Sequence, residues 1–367
     1  MKSIFYFTHI PWNWIKQRPQ FLAEELSKEF DVVVFQEKVY NHKGLTSNKT
    51  SLKINSLFRL PLARISFIKR INSLLIRLQL KAKFKKFDYI WLTSPLQYQA
   101  IYPILGDKIV IYDCMDDLLA FPLHKQNRKI SEMLKHNEER LIQRADIIFC
   151  SSLFLKSVLI NRYNIELTEK LKVVNNAINI YEGDVEIPQH IRESFLNYPQ
   201  NLCYIGTVSQ WFDFSLIIGV LNKNENLVLF LFGPSEVPIP YHKQIIHFGP
   251  IEHKYVYSVL RNAGVLIMPF IINDLILSVN PVKLYEYIYC EKLSIARMYP
   301  EVLKFEEYVY LYNTAEDFNS LIKQYCNNKL TLKSSKDNYR NFGLSNTWKI
   351  RAKQIKSLID VSNNNLK

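Results

Sequence analysis

Glycine is scarce in this chain, with nine residues in 367, roughly a third of the usual ~7% share. This excludes collagen-like and glycine-rich low-complexity proteins. No stretch of 18 apolar residues occurs, so we expect no helix that spans a bilayer, and the segment after Met1 lacks the pattern of a signal peptide. The five cysteines are widely spaced and form no CxxC pair. We therefore predict a cytosolic protein with reduced thiols.

Several well-known catalytic motifs are also absent. The sequence contains no GxGxxG fingerprint, no P-loop and no G-x-S-x-G nucleophile elbow, which disfavours dehydrogenases, P-loop NTPases and α/β-hydrolases. His242, His247 and His253 do not have the spacing of a zinc site. We predict no metal and no cofactor.

Acidic residues are missing from the segment between Lys38 and Lys86, which holds thirteen Lys or Arg residues, as many as the net charge of +13. Residues 57–77 alternate these cations with large aliphatic side chains, a composition typical of an amphipathic helix on an anionic membrane surface. An ordinary domain helix with solvated cations is the alternative, and nucleic acid is a weaker one because no RNA- or DNA-binding motif accompanies the segment. The cations expected to contact the membrane are Arg64, Lys69, Arg70 and Arg77.

Short apolar runs alternate with helical patterns along the chain, which predicts parallel sheets covered by helices on both faces. The pattern restarts once, so we predict an α/β protein with two Rossmann-like domains. These are an N-terminal domain over 1–178 with a basic insertion over 38–86, a C-terminal domain over 179–345, and a final helix over 346–367 that packs back on the N-terminal domain. The polar segment 175–199 is interpreted as the interdomain linker. Ligands are expected in a cleft at the carboxyl ends of the strands.

The segment from Asn280 to Glu286 has the residues of an anion site. Asn280 is a good N-cap and Pro281 a good first helical residue, so a helix is predicted to begin here with free N–H groups. Lys283 adds a positive charge in the first turn, and Glu286 can accept hydrogen bonds from vicinal hydroxyls. Together they suit a nucleoside diphosphate. A solvated Lys–Glu pair on an exposed helix is the alternative.

Several motifs resemble one family. The order Gly233-Pro234, His247-Phe248-Gly249-Pro250-Ile251, then Asn280-Pro281-Val282-Lys283-Leu284-Tyr285-Glu286, is similar to the C-terminal domain of GT-B glycosyltransferases, most of all a TuaH-like (teichuronic acid type) branch beside glycosyltransferase family 4. The blocks His9–Trp14, Gln17–Gln20 and Tyr112–Asp117 resemble that branch as well. The resemblance covers nearly the whole chain.

The resemblance implies a GT-B fold and transfer of a sugar to a lipid-linked or glycan acceptor in bacterial surface polysaccharide biosynthesis, without a metal and with a UDP-sugar as the expected donor. Glu286 matches the second Glu of the family's E-x7-E motif, and Ser278 stands where the first would be. The loop 206–211 lacks the family's Arg/Lys pair, so Lys283, with Arg297, is expected to supply the charge on the diphosphate. The donor residues implied are Thr207, Gly233, Gly249, Ile251, Asn280, Pro281, Lys283, Glu286 and Arg297.

On the N-terminal domain, Asp116 and Asp117 follow a predicted strand, where one of them can act as the base for an acceptor hydroxyl. Helix N-capping is the alternative role. Lys283 completes the predicted catalytic set by stabilising the leaving diphosphate. The expected acceptor residues follow the first strand, and packing of the loop or a structural histidine explains them nearly as well. They are His9, Trp12, Trp14 and Arg18.

Two other functions stay open. A GT-B epimerase acting on a UDP-sugar would share Lys283 and Glu286 but would need no membrane. A catalytically silent nucleotide- or RNA-binding protein is consistent with the missing Arg/Lys pair. Our prediction is a transferase that lies peripherally on the inner face of the cell membrane.

Overall fold

A computed structural model describes residues 1–38, 50–62, 65–165, 169–181, 183 and 185–365. The chain divides into two compact units. Unit 1 is Met1–Asn176 together with Trp348–Lys367, and unit 2 is Ala177–Thr347.

Unit 1 is built on a parallel sheet of seven strands in the order β3-β2-β1-β4-β5-β6-β7. The strands are β1 (Ser3–Thr8), β2 (Asp31–Glu37), β3 (Lys53–Leu57), β4 (Tyr89–Leu92), β5 (Ile109–Cys114), β6 (Ile147–Cys150) and β7 (Leu171–Val173). The helices between them are α1 (Arg18–Leu26), α2 (Ser66–Phe84), α3 (Pro95–Ile101), α4 (Pro122–Lys125), α5 (Arg128–Arg144) and α6 (Leu153–Tyr163). Short 3-10 turns lie at Tyr102–Ile104 and Leu118–Ala120. The central strands are apolar on both faces because helices cover both.

Unit 2 has a parallel sheet of six strands in the order β10-β9-β8-β11-β12-β13. The strands are β8 (Asn201–Ile205), β9 (Val228–Phe232), β10 (Ile245–Gly249), β11 (Val265–Met268), β12 (Ser294–Arg297) and β13 (Tyr310–Tyr312). Its helices are α7 (Gln189–Asn197), α8 (Phe214–Leu221), α9 (Val256–Asn262), α10 (Asp274–Ser278), α11 (Val282–Tyr289), α12 (Ala315–Cys326) and α13 (Lys336–Ser345). Two 3-10 turns lie at His253–Tyr255 and Pro300–Phe305. The predicted α/β architecture of two parallel sheets is confirmed.

The last helix, α14 (Trp348–Asn365), belongs to unit 1 and packs on α1. The indole of Trp348 stacks on the ring of Phe21 with the centroids 5.5 Å apart. Farther along, the ammonium of Lys356 lies 2.6 Å from the carboxylate of Glu29. The predicted return of the C-terminal helix to the N-terminal domain is thus confirmed.

Two segments differ from the sequence analysis. The described part of 38–86 is not an insertion: β3 pairs with β2, and Ile76, Leu80 and Phe84 of α2 are buried in the core of unit 1. We missed β3 because it is a sheet edge with alternating polar residues and no apolar run. Nor is all of 175–199 a linker, since α7 buries Ile191 and Phe195 in the core of unit 2.

A buried ion pair ties α1 to β5. The guanidinium of Arg18 donates to both carboxylate oxygens of Asp113 at 2.8–3.1 Å, and it also donates to the carbonyl of Val174 at 2.8 Å. Arg18 is 4% exposed and Asp113 is fully buried. Each charge compensates the other in a place that water does not reach, so removing one leaves the other without compensation.

We therefore predict that Arg18→Met lowers the free energy of unfolding by about 3–5 kcal/mol, because it leaves a buried carboxylate unpaired. Urea denaturation followed by circular dichroism measures the loss. Arg128→Ala is the matched control: its ion pair with Glu132 has an Arg side chain that is 91% exposed, so the change there is about 0.5 kcal/mol or less. Equal losses in the two variants would contradict the prediction.

Candidate functional site

Three adjacent strands of unit 2 end at a glycine. Gly206 follows β8, Gly233 follows β9 and Gly249 ends β10, and all three have positive φ, at 147°, 125° and 73°. The ends are joined by backbone hydrogen bonds of 2.8 Å, from Gly206 N–H to the Phe232 carbonyl and from Gly233 N–H to the Gly249 carbonyl. These three glycines, out of nine in the chain, therefore leave one stretch of the carboxyl edge of the sheet without side chains.

The first two of these glycines lie against closely packed atoms. A Cβ at Gly233 would lie 2.3 Å from the carbonyl oxygen of Gly206. A Cβ at Gly206 would lie 2.3 Å from Cε and 2.7 Å from Nζ of Lys283. Backbone fills the space that a side chain would need at Gly233, whereas at Gly206 the end of the Lys283 side chain could move and the φ of 147° is what favours glycine.

Lys283 reaches this edge from the first turn of α11. Its ammonium lies 5.4 Å from the centre of the Tyr204 ring, and the Tyr204 hydroxyl donates to the Thr207 carbonyl at 3.0 Å. The helix begins one residue later than we predicted, since Pro281 is the N-cap and Val282 the first helical residue. The predicted helix start with Lys283 in its first turn is otherwise found where we expected it.

The charges of Lys283 and Glu286 are left available for a ligand. Within the described residues, neither side chain forms an ion pair or a hydrogen bond with another side chain. Burial lowers the pKa of the Lys283 ammonium, while burial raises the pKa of the Glu286 carboxyl to about 7. Attraction between the two groups opposes both shifts. A bound dianion would raise the pKa of the Lys283 ammonium again.

These features together suit a phosphate-bearing ligand. The first turn of α11 has N–H groups without helical acceptors, Lys283 contributes a cation, and the glycine edge lets a ligand approach the backbone. Glu286 lies one turn further along the same helix, where its carboxylate can accept hydrogen bonds from hydroxyls.

The structure places the remaining predicted donor residues as follows. Thr207 follows Gly206 directly, Ile251 lies just beyond β10 and packs on the core, and Asn280 is buried beside Pro281. Arg297 ends β12, two strands away from β8, and its guanidinium donates to the Asn313 carbonyl. The Arg297 guanidinium therefore contacts the residue that follows β13. Gly206 and Tyr204 were missed, although a glycine directly after a strand was a usable signal.

In unit 1, the two aspartates after β5 have different environments. Asp117 is 3% exposed, its carboxylate accepts two hydrogen bonds from Arg162 at 2.5 and 2.8 Å, and it caps the Leu118–Ala120 turn. Asp116 is partly exposed, and its carboxylate has no hydrogen-bond partner in the described part of the chain. Burial, with smaller contributions from Asp113 and Asp117, raises the pKa of Asp116 to about 7, although Arg18 opposes the shift.

This contrast bears on the two interpretations that the sequence left open, a general base or a helix N-cap. Asp117 has a capping and ion-pairing role, which corrects its placement among the catalytic residues. Asp116 has the available carboxylate and the raised pKa that a general base near neutral pH requires.

The four predicted acceptor residues also differ in their burial and in their partners. Trp12 is 3% exposed, so its indole cannot stack on a sugar. Arg18 forms a buried ion pair with Asp113. The expectation that these two residues contact the acceptor is therefore corrected. His9 follows β1, and its Nδ1 lies 2.7 Å from the Thr93 hydroxyl. Burial lowers the pKa of His9 to about 4, so its ring is neutral at pH 7. Trp14 is partly buried in the same loop.

The basic helix α2 exposes a stripe of mixed composition. Phe67, Leu74 and Leu78 are 70%, 53% and 64% exposed, and Arg70 and Lys81 lie exposed on the same line. Of the predicted membrane cations, Lys69 donates to the Met133 sulfur and Arg77 donates to the Ala100 carbonyl at 2.9 Å. Those two cations therefore point toward neighbouring elements. Arg64 lies outside the described residues.

Two further kinds of feature are absent from the described part of the chain. No helix there has the length and apolar character needed to cross a bilayer. No group of three His, Cys, Asp or Glu side chains there converges in a way that would hold a metal ion.

No family model matches the chain. It is similar to the putative teichuronic acid biosynthesis glycosyltransferase TuaH of Bacillus subtilis, with 26% identity over 239 residues. That match spans 61% of this chain and 59% of the length of TuaH. The resemblance to a TuaH-like protein seen in the motifs is therefore confirmed as a similarity.

Solved structures share the fold over almost the whole chain. HepE of Anabaena in complex with UDP and glucose superposes with a TM-score of 0.73 at 11% identity, covering 98% of this chain and all of that one. Sucrose-phosphate synthase of Thermosynechococcus elongatus gives a TM-score of 0.73 at 14% identity, covering 98% of both chains. The predicted GT-B fold is confirmed.

Proposed function

We propose that this chain is a glycosyltransferase that takes a sugar from a UDP-sugar and transfers it to an acceptor hydroxyl. The observation that carries the proposal is the Lys283 ammonium, which lies beside Gly206 at the start of α11 and forms no ion pair among the described residues. HepE, which shares the fold, was crystallised with UDP and glucose, and this supports a UDP-sugar as the donor.

On the donor side, the bond between the anomeric carbon and the diphosphate oxygen breaks, and negative charge develops on the leaving diphosphate. Lys283 and the free N–H groups of α11 stabilise that charge because they are already oriented toward it before the reaction. Glu286 accepts hydrogen bonds from the ribose hydroxyls and so orients the nucleotide. Gly206, Gly233 and Gly249 keep the approach clear of side chains.

On the acceptor side, the attacking hydroxyl forms the new bond to the anomeric carbon and gives up its proton. Asp116 is the proposed proton acceptor, since its carboxylate is available and its pKa is raised to about 7. His9, with a neutral ring, and Trp14 remain proposed acceptor contacts at the carboxyl edge of the same sheet. Asp117, Trp12 and Arg18 are not part of this proposal.

The acceptor that we propose is lipid-linked, in the synthesis of a bacterial surface polysaccharide. The name of TuaH places that relative in teichuronic acid biosynthesis, which supports the pathway class. The exposed stripe of α2, made of Phe67, Arg70, Leu74, Leu78 and Lys81, supports docking on an anionic bilayer. The protein would then lie on the inner face of the cell membrane.

The transferase proposal is tested by product analysis. The protein is incubated with a panel of UDP-sugars and with vesicles made from bacterial membrane lipid extract, and UDP release and lipid-extractable sugar are measured. Both are expected to appear together. An epimerised UDP-sugar without transfer would point to an epimerase, and binding of UDP without turnover would point to a silent binding protein; either result would overturn the proposal.

Lys283→Ala should weaken UDP binding by roughly 10- to 100-fold, because a charge-assisted contact is worth about 1.5–3 kcal/mol. Isothermal titration calorimetry measures the affinity, and thermal unfolding checks that the variant is folded. Lys254→Ala is the matched control in the same unit, since Lys254 lies on an exposed turn and pairs with Glu252 at 2.9 Å. Unchanged UDP affinity in Lys283→Ala would refute the phosphate role.

Asp116→Asn should reduce turnover by at least about 100-fold while leaving UDP affinity intact, since a general base contributes ~10²–10⁴ in rate. In the parent protein, the carboxylate must be deprotonated to act, so kcat/KM should rise with pH and level off above about 7. Asp107→Asn, at an exposed position in the same unit, is the control and should change neither quantity. Full activity in Asp116→Asn would rule out the base.

Reversing the exposed cations of α2 with the double substitution Arg70→Glu and Lys81→Glu should abolish sedimentation with phosphatidylglycerol vesicles at low salt, because each cation near an anionic surface contributes ~1 kcal/mol. Lys349→Glu with Lys353→Glu makes the same charge change on the exposed side of α14 and should retain binding. If both double variants bind equally well, α2 is not the docking surface.

A further inference from the structure

Three carboxylates occur within five residues at the end of β5. They are Asp113, the last but one residue of the strand, and Asp116 and Asp117, which follow it. Repulsion among three such neighbours would ordinarily favour protonation of some of them. The structure provides an arginine for two of the three and none, within its described residues, for the third.

Each of the outer aspartates has a guanidinium of its own. Arg18 of α1 contacts both oxygens of Asp113, with its closest approach at 2.8 Å. Arg162 of α6 contacts both oxygens of Asp117 at 2.5 and 2.8 Å. Both aspartates are at most 3% exposed, so these pairs are shielded from solvent.

The Arg162 pair is supported by a second carboxylate. Glu138 of α5, which is 2% exposed, lies 3.5 Å from the Arg162 guanidinium and accepts hydrogen bonds from Tyr163 at 2.6 Å and Tyr112 at 2.9 Å. The network joins β5, α5 and α6 at one edge of the sheet. It fixes the guanidinium that holds Asp117, the residue next to Asp116.

We propose that Arg162, held by Glu138, is a positioning residue that anchors the loop through Asp117 and cancels the negative charge of Asp117, so that Asp116 is the carboxylate left to take up a proton. This inference rests on the proposed role of Asp116 as the base. It goes beyond that role by assigning the control of Asp116 to a residue that touches neither donor nor acceptor.

The charges around Asp116 set the direction of the expected effects. The charged groups that act on it are Arg18 from α1 and Asp113 and Asp117 from its own segment, and Glu138 and Arg162 surround Asp117. Without Arg162, the uncompensated Asp117 repels a second carboxylate and raises the pKa of Asp116. Without the Asp117 charge, the remaining Arg162 lowers it.

The test is the acidic limb of the dependence of kcat/KM on pH, measured from UDP release with the most reactive UDP-sugar of the panel. Arg162→Gln should move the limb to higher pH by about one unit, and Asp117→Asn should move it to lower pH by about one unit. The double variant Asp117→Asn with Arg162→Gln should return the limb close to that of the parent, because the pair is again neutral.

Two further variants separate this role from a merely structural one. Arg162→Lys keeps the charge with fewer hydrogen bonds, so it should leave the limb in place while kcat falls. Arg144→Gln is the matched control, since Arg144 forms a comparable 3.0 Å ion pair with Asp146 just before β6, and the limb should not move there.

Opposite shifts in the two single variants, with return in the double variant, would support the inference. A limb that stays in place in Asp117→Asn, with the melting temperature unchanged, would overturn it, even if Arg162→Gln fails to fold. The proposed function fails separately, through an active Asp116→Asn variant. An inactive Asp116→Asn together with unmoved limbs would refute only the role of Arg162.

Discussion

The close approach of the Lys283 side chain to the backbone of Gly206 is the constraint on which the proposed donor site depends. It puts a cation at the start of α11 and at the end of β8 at once, with 2.3 Å between Lys283 Cε and the place a Cβ would occupy at Gly206. The close packing continues between the backbones of Gly206 and Gly233, so the end of the Lys283 side chain lies against a closely packed part of the sheet edge. A phosphate site built in this way needs no flexible glycine-rich loop.

The carboxyl edge of unit 1 depends on a different interaction, the pairing of carboxylates with arginines. There, three aspartates lie close together in sequence, and the buried Arg18 and the partly buried Arg162 each pair with one of them. The Arg18 pair stabilises the sheet beneath α1, and the Arg162 pair connects β5 to α5 and α6. What remains is a single carboxylate with a raised pKa at a strand end, where open parallel sheets present their functional groups.

The similarity to solved structures shows how little sequence this fold requires. HepE and this chain share 11% of their residues yet superpose over 98% of this chain. Buried strands tolerate exchange among apolar residues of suitable size, so identity is lost while the layers persist. Surface segments such as the stripe of α2 are not constrained in this way, and their chemistry has to be argued from the residues of this chain alone.

Local patterns of residues were enough to predict the two parallel sheets and the helix start that carries Lys283 and Glu286. These features are local, since apolar runs, a proline at a helix start and a lysine in the first turn act over a few neighbouring residues. Tertiary structure alone decided which aspartate is held by Arg162, that Trp12 and Arg18 are buried, and that Lys69 and Arg77 point inward. The side-chain pairings among these outcomes join partners 23 to 156 positions apart in the chain, and no local pattern of residues encodes such a pairing.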